Sequence, residues 1–177
     1  KITAMDTASA KSELRKIMNL QRPHSSLGLF EQLRSLAEKT QATKIASYSP
    51  LENEPDLGDF NNWAAKNLDL YFPRVVQDRL EFAQGPMRAG KFSIMEPTGS
   101  AILTSDLELI LIPALAVDVL GNRIGKGKGF YDRWLVEVAS TNLFAVVFDP
   151  EVLELVPSEP HDRKVNGIVT PTRSIAI

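Results

Sequence analysis

The sequence predicts an α/β fold, a three-layer α/β/α sandwich around a mostly parallel mixed sheet, with an N-terminal helical pair. Segments with helical spacing of apolar residues alternate with short apolar segments, and this order is typical of α/β sheets. The run at residues 143–148 is almost purely apolar, as parallel strands covered on both faces are. A chain of 177 residues is within the size of one domain, so we treat residues 1–177 as a single domain.

The predicted helices are set by apolar residues at helical spacing and by the residues that begin or end them. They are expected over residues 6–21, 25–40, 57–67 and 130–139. Pro23 ends the first helix, because a proline ring cannot continue it. Ser25 or Ser26 is the expected N-cap of the second.

The predicted strands are short apolar segments separated by turn residues. They are expected over residues 44–48, 69–75, 79–82, 91–94, 107–112, 143–148, 168–170 and 174–177. The strongest is the segment 107–112, which Pro113 stops.

Composition excludes several classes of protein. The chain has 44% hydrophobic and 24% charged residues, no cysteine and a net charge of −2. We therefore expect no disulfide or thiolate site and no nucleic-acid partner. No apolar run reaches the ~18 residues of a membrane span, and the N-terminus lacks a signal-peptide pattern, so we expect no membrane partner. The absence of cysteine fits a cytoplasmic location, and we expect the protein to be a monomer. The two histidines, His24 and His161, are too isolated to predict a metal site or a nucleophilic triad.

The segment at residues 121–133 carries the clearest functional signal. It holds four glycines and four cations with a single acid, Asp132, against the mildly negative background of the chain. Glycine lets backbone N–H groups approach a ligand, while lysine and arginine bind phosphate oxygens. A helix is expected to start after Gly129, and a helix N-terminus attracts anions. The segment therefore predicts a polyphosphate site at the glycine loop, which we define as residues 125–129.

The spacing in this loop is not that of a Walker A motif, nor is it G-x-G-x-x-G. A flexible basic surface loop is the structural alternative. Asp132 is a candidate Mg²⁺ ligand because hard cations take carboxylate and phosphate oxygens, and Asp162 is a candidate second carboxylate. A carboxylate in the first turn of a helix and a turn residue are the alternatives for these two acids.

Three further charged residues are candidates with ordinary alternatives. Lys11 and Arg15 are four residues apart and share a helix face, where they bind an anion or simply face solvent. Glu54 follows a predicted strand end, where α/β proteins place ligand contacts, although acids in loops are usually only solvated.

The segments 113–118 and 121–133 resemble the signature of the 5-formyltetrahydrofolate cyclo-ligase family, and weaker matches occur in the family's order along almost the whole chain. They are residues 11–15, Glu54 with Asp56, residues 73–75, residues 92–97, His161 with Asp162, Val165 and residues 168–170. The chain departs from the family pattern at Leu57, Ala114 and Val117, where the family usually has threonine, glycine and a large aromatic residue.

The resemblance implies ATP-dependent cyclisation of 5-formyltetrahydrofolate to 5,10-methenyltetrahydrofolate, with release of ADP and phosphate. Arg123 and Lys128 are the expected catalytic residues. The implied ATP contacts are Lys11, Arg15, Arg123, Ile124, Gly125, Lys126, Gly127, Lys128, Gly129, Phe130 and Tyr131. The implied folate contacts are Arg15, Glu54, Lys126 and Phe130, and the implied Mg²⁺ ligands are Asp132 and Asp162. A divergent family member with another small substrate and a non-catalytic ATP-binding module remain the alternatives.

Overall fold

The computed structural model describes residues 6–23, 25–90, 93–139 and 142–177. Its helices are α1 (Thr7–Gln21), α2 (Leu29–Thr40), α3 (Gly58–Asn67) and α4 (Phe130–Leu135). Its strands are β1 (Lys44–Ala46), β2 (Asp69–Val76), β3 (Arg79–Ala83), β4 (Met87–Ala89), β5 (Met95–Pro97), β6 (Leu109–Pro113), β7 (Ala116–Asp118), β8 (Arg123–Ile124), β9 (Leu143–Val146), β10 (Val152–Leu153), β11 (Gly167–Val169) and β12 (Ser174–Ala176).

Seven strands form the main sheet, in the order β12-β11-β9-β6-β1-β2-β3. The five inner strands are parallel to one another, and the edge strands β3 and β12 are antiparallel to the strands beside them. A second sheet has the order β10-β7-β8, and β4 pairs with β5 in a separate hairpin. The predicted α/β class with a mostly parallel mixed sheet is confirmed.

Each face of the main sheet is covered by helices, which gives the three layers. Along β6, Leu109 and Leu111 pack in a cluster with residues of α2 and α3. Ile110 and Ile112 point to the other face and pack in a cluster with Trp134 of α4. Since side chains alternate along a strand, an all-apolar strand such as β6 requires cover on both sides.

Helix α1 packs on the small sheet. Leu14 and Met18 contact a cluster that contains Leu115, Ile124 and Val156. The first helix thus belongs to the part of the molecule from which the glycine loop extends, because β8 ends at Ile124 directly before that loop.

The start of α2 differs from its prediction. The helix begins at Leu29, and its N-cap is Gly28 with φ +95°, so neither Ser25 nor Ser26 caps it. A left-handed backbone angle cannot continue into a preceding helical turn, and for this reason the helix cannot include residues 25–28. Ser26 instead accepts a hydrogen bond from the Asp56 N–H at 2.8 Å.

Two other predicted elements also differ. In the predicted strand 91–94, Lys91 and Phe92 lie outside the described residues, and Ser93 has φ +59°, which is incompatible with a strand. The chain instead enters β5 at Met95. The helix predicted over 130–139 ends at Leu135, because the N–H groups of residues 137 and 138 then bond to carbonyls three residues back.

Within the described ranges, no helix combines the length and the apolar character that a membrane crossing requires.

Candidate functional site

A cavity with a volume of ≈ 190 Å³ lies at one edge of the sheet. It opens where the parallel strands β1, β2 and β6 end. Tyr48 after β1, Val75 near the end of β2 and Ala114 after β6 all line it. This is the edge at which open α/β sheets bind ligands, because neighbouring loops diverge there.

The glycine loop forms one wall of this cavity, and all five of its residues line it. Gly127 has φ +90° and Gly129 has φ +74°. These left-handed angles are disfavoured for residues with a side chain, so both positions require glycine. The two lysines of the loop, Lys126 and Lys128, are exposed.

Helix α1 holds the glycine loop through Arg15. The Arg15 Nε donates to the Gly125 carbonyl at 3.0 Å. A Cβ atom at position 127 would lie 3.5 Å from that same nitrogen, so the guanidinium lies against the loop backbone. The structure thus places Arg15 beside the glycine loop, while its contacts with ATP and folate remain a prediction.

Arg123 lies buried at the base of the loop and lines the cavity. Its Nη2 donates to Asp132 Oδ1, and its buried Nε has no hydrogen-bond partner in the described part of the chain. Burial lowers the pKa of Arg123, while the negative charges of Asp132 and, more weakly, Asp162 oppose this change. A guanidinium remains charged in proteins, so this group offers an anion a donor in a desolvated position.

The Asp132 carboxylate is a further part of the cavity lining. Its side chain is 65% exposed, in contrast to its partner Arg123. It can therefore accept a cation from the cavity side while it remains paired with Arg123.

Glu54 connects the loop after β1 to the glycine loop. Its Oε1 lies 2.8 Å from Lys126 Nζ, and its Oε2 accepts the Leu51 N–H at 2.8 Å. Lys126 Nζ also lies 3.4 Å from the Asn53 side-chain oxygen. The structure thus brings together two of the residues predicted to contact the folate.

Tyr131 and Tyr48 line the cavity, and the pKa of each phenol is raised above its ordinary value. Burial is the main cause in each case, and the nearby Glu54 carboxylate adds to it. Both rings remain neutral phenols at physiological pH.

The rest of the cavity lining is largely apolar. The side chains responsible are Leu51, Val75, Leu80, Ile94, Met95 and Phe130. A cavity with apolar walls and a few fixed charges is typical of sites for small organic ligands.

Lys11 and Asp162 lie together outside this cavity lining. Lys11 Nζ is 2.6 Å from Asp162 Oδ2 and 2.8 Å from Glu159 Oε2. Glu159, His161 and Asp162 place possible ligand atoms within 4.8 Å of one another, and Asp132 is not a member of this group. Asp132 and Asp162 as joint Mg²⁺ ligands therefore remain a prediction.

Some of the residues that the sequence analysis singled out have side chains in the hydrophobic core and not at the cavity. The Ile124 side chain is buried against α1, so only its backbone can face a ligand. Leu57, a departure from the family pattern, is buried in the main core and does not line the cavity, and Val117 is also a core residue. Of the three departures, Ala114 is the one at the cavity.

Sequence reasoning missed Tyr48, Arg74 and Glu96 as cavity residues. Arg74 and Glu96 did belong to segments that resemble the family, but their side chains had no assigned role. The signal that could have found Tyr48 is its position directly after a central parallel strand.

The fold and the site together define an α/β protein with a cavity at the carboxyl edge of its sheet, beside a basic glycine loop. The chain belongs to the 5-formyltetrahydrofolate cyclo-ligase family, which it matches over residues 8–171.

Three relatives illustrate the similarity. A 5-formyltetrahydrofolate cyclo-ligase of Mycolicibacterium smegmatis is 41% identical over 99 residues, covering 54% of this chain and 51% of the relative, so the match spans about half of that relative's length. The enzyme of that name from Haemophilus influenzae is 27% identical over 170 residues, covering 86% of this chain and 90% of the relative. The solved structure of Aquifex aeolicus 5,10-methenyltetrahydrofolate synthetase has a TM-score of 0.83 at 30% identity, covering 94% of this chain and 92% of that chain.

Proposed function

We propose that this protein is an ATP-dependent ligase that cyclises 5-formyltetrahydrofolate to 5,10-methenyltetrahydrofolate and releases ADP and phosphate. The observation that carries the proposal is the cavity itself. A basic glycine loop suited to phosphates and apolar walls suited to a planar ring line the same space. Both reactants must meet in one site if a phosphoryl group is to pass between them.

The glycine loop would hold the triphosphate. Its backbone N–H groups, together with Lys126 and Lys128, offer donors to phosphate oxygens. Arg15 supports the loop by its bond to the Gly125 carbonyl and contributes charge from α1. Lys11, one turn earlier on the same helix, would complete the basic face, although its ammonium is paired with Asp162 and Glu159 here.

The reaction would proceed in two steps. The formyl oxygen attacks the γ-phosphorus of ATP, and the bond from that phosphorus to the bridging oxygen of ADP breaks. The N10 nitrogen then attacks the activated carbon, its proton leaves, and the carbon–oxygen bond breaks to release phosphate. Neither step requires a protein nucleophile, because phosphoryl transfer depends mainly on positioning and on charge stabilisation.

Arg123 and Lys128 are the residues that would stabilise the transferring group. Arg123 is the better placed of the two for strong interactions, because its guanidinium is buried and its Nε lacks a hydrogen-bond partner in the described chain. Charge contacts in a desolvated site are worth more than the same contacts in water.

Mg²⁺ would be bound by carboxylates, of which Asp132 lines the cavity beside the loop. The exposed Asp132 carboxylate and, at the second position, Asp162 would hold it, since Mg²⁺ binds one or two carboxylates and phosphate oxygens. When bound, the ion neutralises charge on the β- and γ-phosphates.

The folate would occupy the apolar part of the cavity. Phe130 and the neighbouring aliphatic side chains would contact its ring system. Glu54 and Lys126 would lie at the boundary between folate and nucleotide, because their ion pair joins the two corresponding walls.

The direct test is an absorbance assay for 5,10-methenyltetrahydrofolate with Mg-ATP and 5-formyltetrahydrofolate. We expect product formation that depends on both. Thermal-shift titration with each ligand and with both tests binding separately, because ligands of the native state raise Tm by mass action.

Two results would contradict the proposal. ATP binding without turnover and without a folate-dependent shift in Tm would indicate a non-catalytic ATP-binding module. Hydrolysis of ATP stimulated by a different small molecule would indicate a divergent substrate.

A further inference from the structure

We infer that Glu96 is a specificity-determining residue, whose carboxylate binds adjacent N–H donors on the pteridine ring of the substrate. The inference rests on the proposed function and deepens it, because it assigns a polar contact within the apolar part of the cavity. In the sequence, Glu96 had no role beyond its place in a segment that resembles the family.

Glu96 lies in β5 and lines the cavity wall formed by β2 and β5. It is 8% exposed, and one of its oxygens accepts the Val75 N–H at 3.1 Å. The same wall is fixed by Arg74, whose Nη1 donates to the Pro97 carbonyl at 3.0 Å and to the Gly99 carbonyl at 2.6 Å. The carboxylate is therefore held in place by its surroundings before any ligand arrives.

The electrostatic setting of Glu96 differs from that of the other buried acid of the cavity, Glu54. Glu54 has Lys126 at 2.8 Å as its counter-charge. For the Glu96 carboxylate, no ion pair is present within the described residues, and the Val75 N–H is its one hydrogen-bond donor there. Burial of a carboxylate is unfavourable unless donors compensate it. A ligand that brings N–H donors into the cavity would supply this compensation.

The chemistry of such a ligand is specific. A 2-amino-4-oxo-pteridine ring presents a ring N–H and an amino N–H side by side on one edge, and a carboxylate can accept both. The apolar side chains near Glu96, including Val75, Ile94 and Met95, can contact the faces of the ring. A site that provides acceptors for N–H groups rejects ligands that lack them, because its buried acceptor would be left unpaired.

The test is the Glu96→Gln variant. Glutamine has almost the same size and keeps an oxygen for the Val75 N–H, but its amide nitrogen cannot accept from the ring. We expect Kd for 5-formyltetrahydrofolate to rise about 10- to 100-fold, the range for one or two hydrogen bonds to a charged group. Kd for Mg-ATP should stay unchanged, because Glu96 is not on the glycine loop. The matched control is Glu154→Gln, which changes an exposed glutamate outside the cavity lining.

An analogue of the substrate with methyl in place of the 2-amino group tests the contact from the ligand side. The wild-type protein should bind this analogue more weakly than the parent folate, and Glu96→Gln should largely lose that preference. Glu96→Asp, which keeps the charge but shortens its reach, provides a second variant if Glu96→Gln does not fold. We expect it to weaken folate binding without affecting Mg-ATP.

The outcomes separate this inference from the proposed function. If the wild-type protein binds the folate and Glu96→Gln binds it equally well, the role of Glu96 is overturned while the proposed function stands. If the wild-type protein binds no folate at all, the proposed function fails and the role of Glu96 fails with it.

Discussion

Lys126 and Glu54 form an ion pair across the cavity, with 2.8 Å between Nζ and Oε1. One partner comes from the glycine loop and the other from the loop after β1, so the pair connects the proposed nucleotide and folate walls. The Glu54 side chain is 5% exposed and that of Lys126 is 32% exposed. The lysine can therefore turn toward a ligand more easily than the glutamate can.

The two partners should affect the ligands differently. We expect Lys126→Met to weaken binding of both Mg-ATP and 5-formyltetrahydrofolate by about 10-fold, because one charged hydrogen-bond donor is lost to each. Glu54→Gln should weaken only the folate, since it leaves the lysine available for phosphate. Isothermal titration of each ligand measures both effects. A loss of Mg-ATP binding in Glu54→Gln equal to its loss of folate binding would contradict this assignment.

Lys128→Ala should lower kcat/KM by roughly 10²-fold or more, the effect of removing one transition-state charge contact. The measurement is steady-state formation of 5,10-methenyltetrahydrofolate. Lys66→Ala is a suitable control because Lys66 is an exposed lysine of α3 outside the cavity lining. A folded Lys128→Ala protein with wild-type turnover would rule out the catalytic role.

Asp132→Asn should raise the Mg²⁺ concentration that gives half-maximal activity by about 10-fold or more, because even partners outside the first coordination shell affect affinity 10- to 100-fold. Asparagine can still accept the bond from Arg123, so the change removes mainly the charge. Asp162→Asn should act in the same direction if both acids hold the ion. Titration of Mg²⁺ at fixed ATP provides the comparison, and an unchanged curve for Asp132→Asn would count against its role as a ligand.

Arg22→Met should destabilise the protein by about 3–5 kcal/mol, because it leaves the buried Glu151 charge unpaired. Arg22 Nε lies 2.6 Å from Glu151 Oε1, and the two side chains are 2% and 1% exposed. Urea unfolding measures the loss. The double variant Arg22→Met with Glu151→Leu removes both charges and should recover most of the stability. A single variant as stable as the wild type would show that the pair contributes little.

The stability of the Arg22→Met variant should depend on pH. Burial raises the pKa of Glu151 above its ordinary value of 4.5, while hydrogen bonds from Arg22 and from the Phe148 N–H oppose the change. Without Arg22 the pKa rises further. Between the unfolded and the folded pKa the native state then binds more protons than the unfolded state, so stability increases as pH falls. We expect the deficit of Arg22→Met to be smaller at about pH 5 than at about pH 8.

Much of the fold was predictable because its strongest signals are local. The apolar run that became β9 and the proline that ends α1 need no tertiary information. The glycine loop was also predictable, since Gly127 and Gly129 adopt the left-handed angles that make glycine necessary there.

The short elements were not predictable from local pattern. β7, β8 and β10 contain only two or three residues each, and such segments have no period to detect. They are strands because hydrogen bonds join them to one another, as in the pairing of Val117 with Arg123 and with Val152. The start of α2 was missed because serines are common N-caps, whereas the left-handed angle of Gly28 decided the boundary.

The contacts between residues of the site were the hardest part of the structure to predict from the sequence. The ion pair of Glu54 with Lys126 joins residues far apart in the chain, and no spacing rule relates them. Glu96 gave no pattern beyond a short motif, since its burial and its place in the cavity wall depend on how β5 lies against β2. Residue types indicated the chemistry, but only the fold determined which charges meet.

The packing of α1 affects how the chain folds during its synthesis on the ribosome. Among the residues that the structure describes, Val156 completes the apolar cluster of Leu14 and Met18, and Glu159 and Asp162 are the acidic partners of Lys11. At roughly 5–20 residues per second, a nascent chain would wait on the order of ten seconds between synthesis of the two parts. During that interval the apolar face of the helix would be exposed to solvent, and chaperones bind surfaces of this kind.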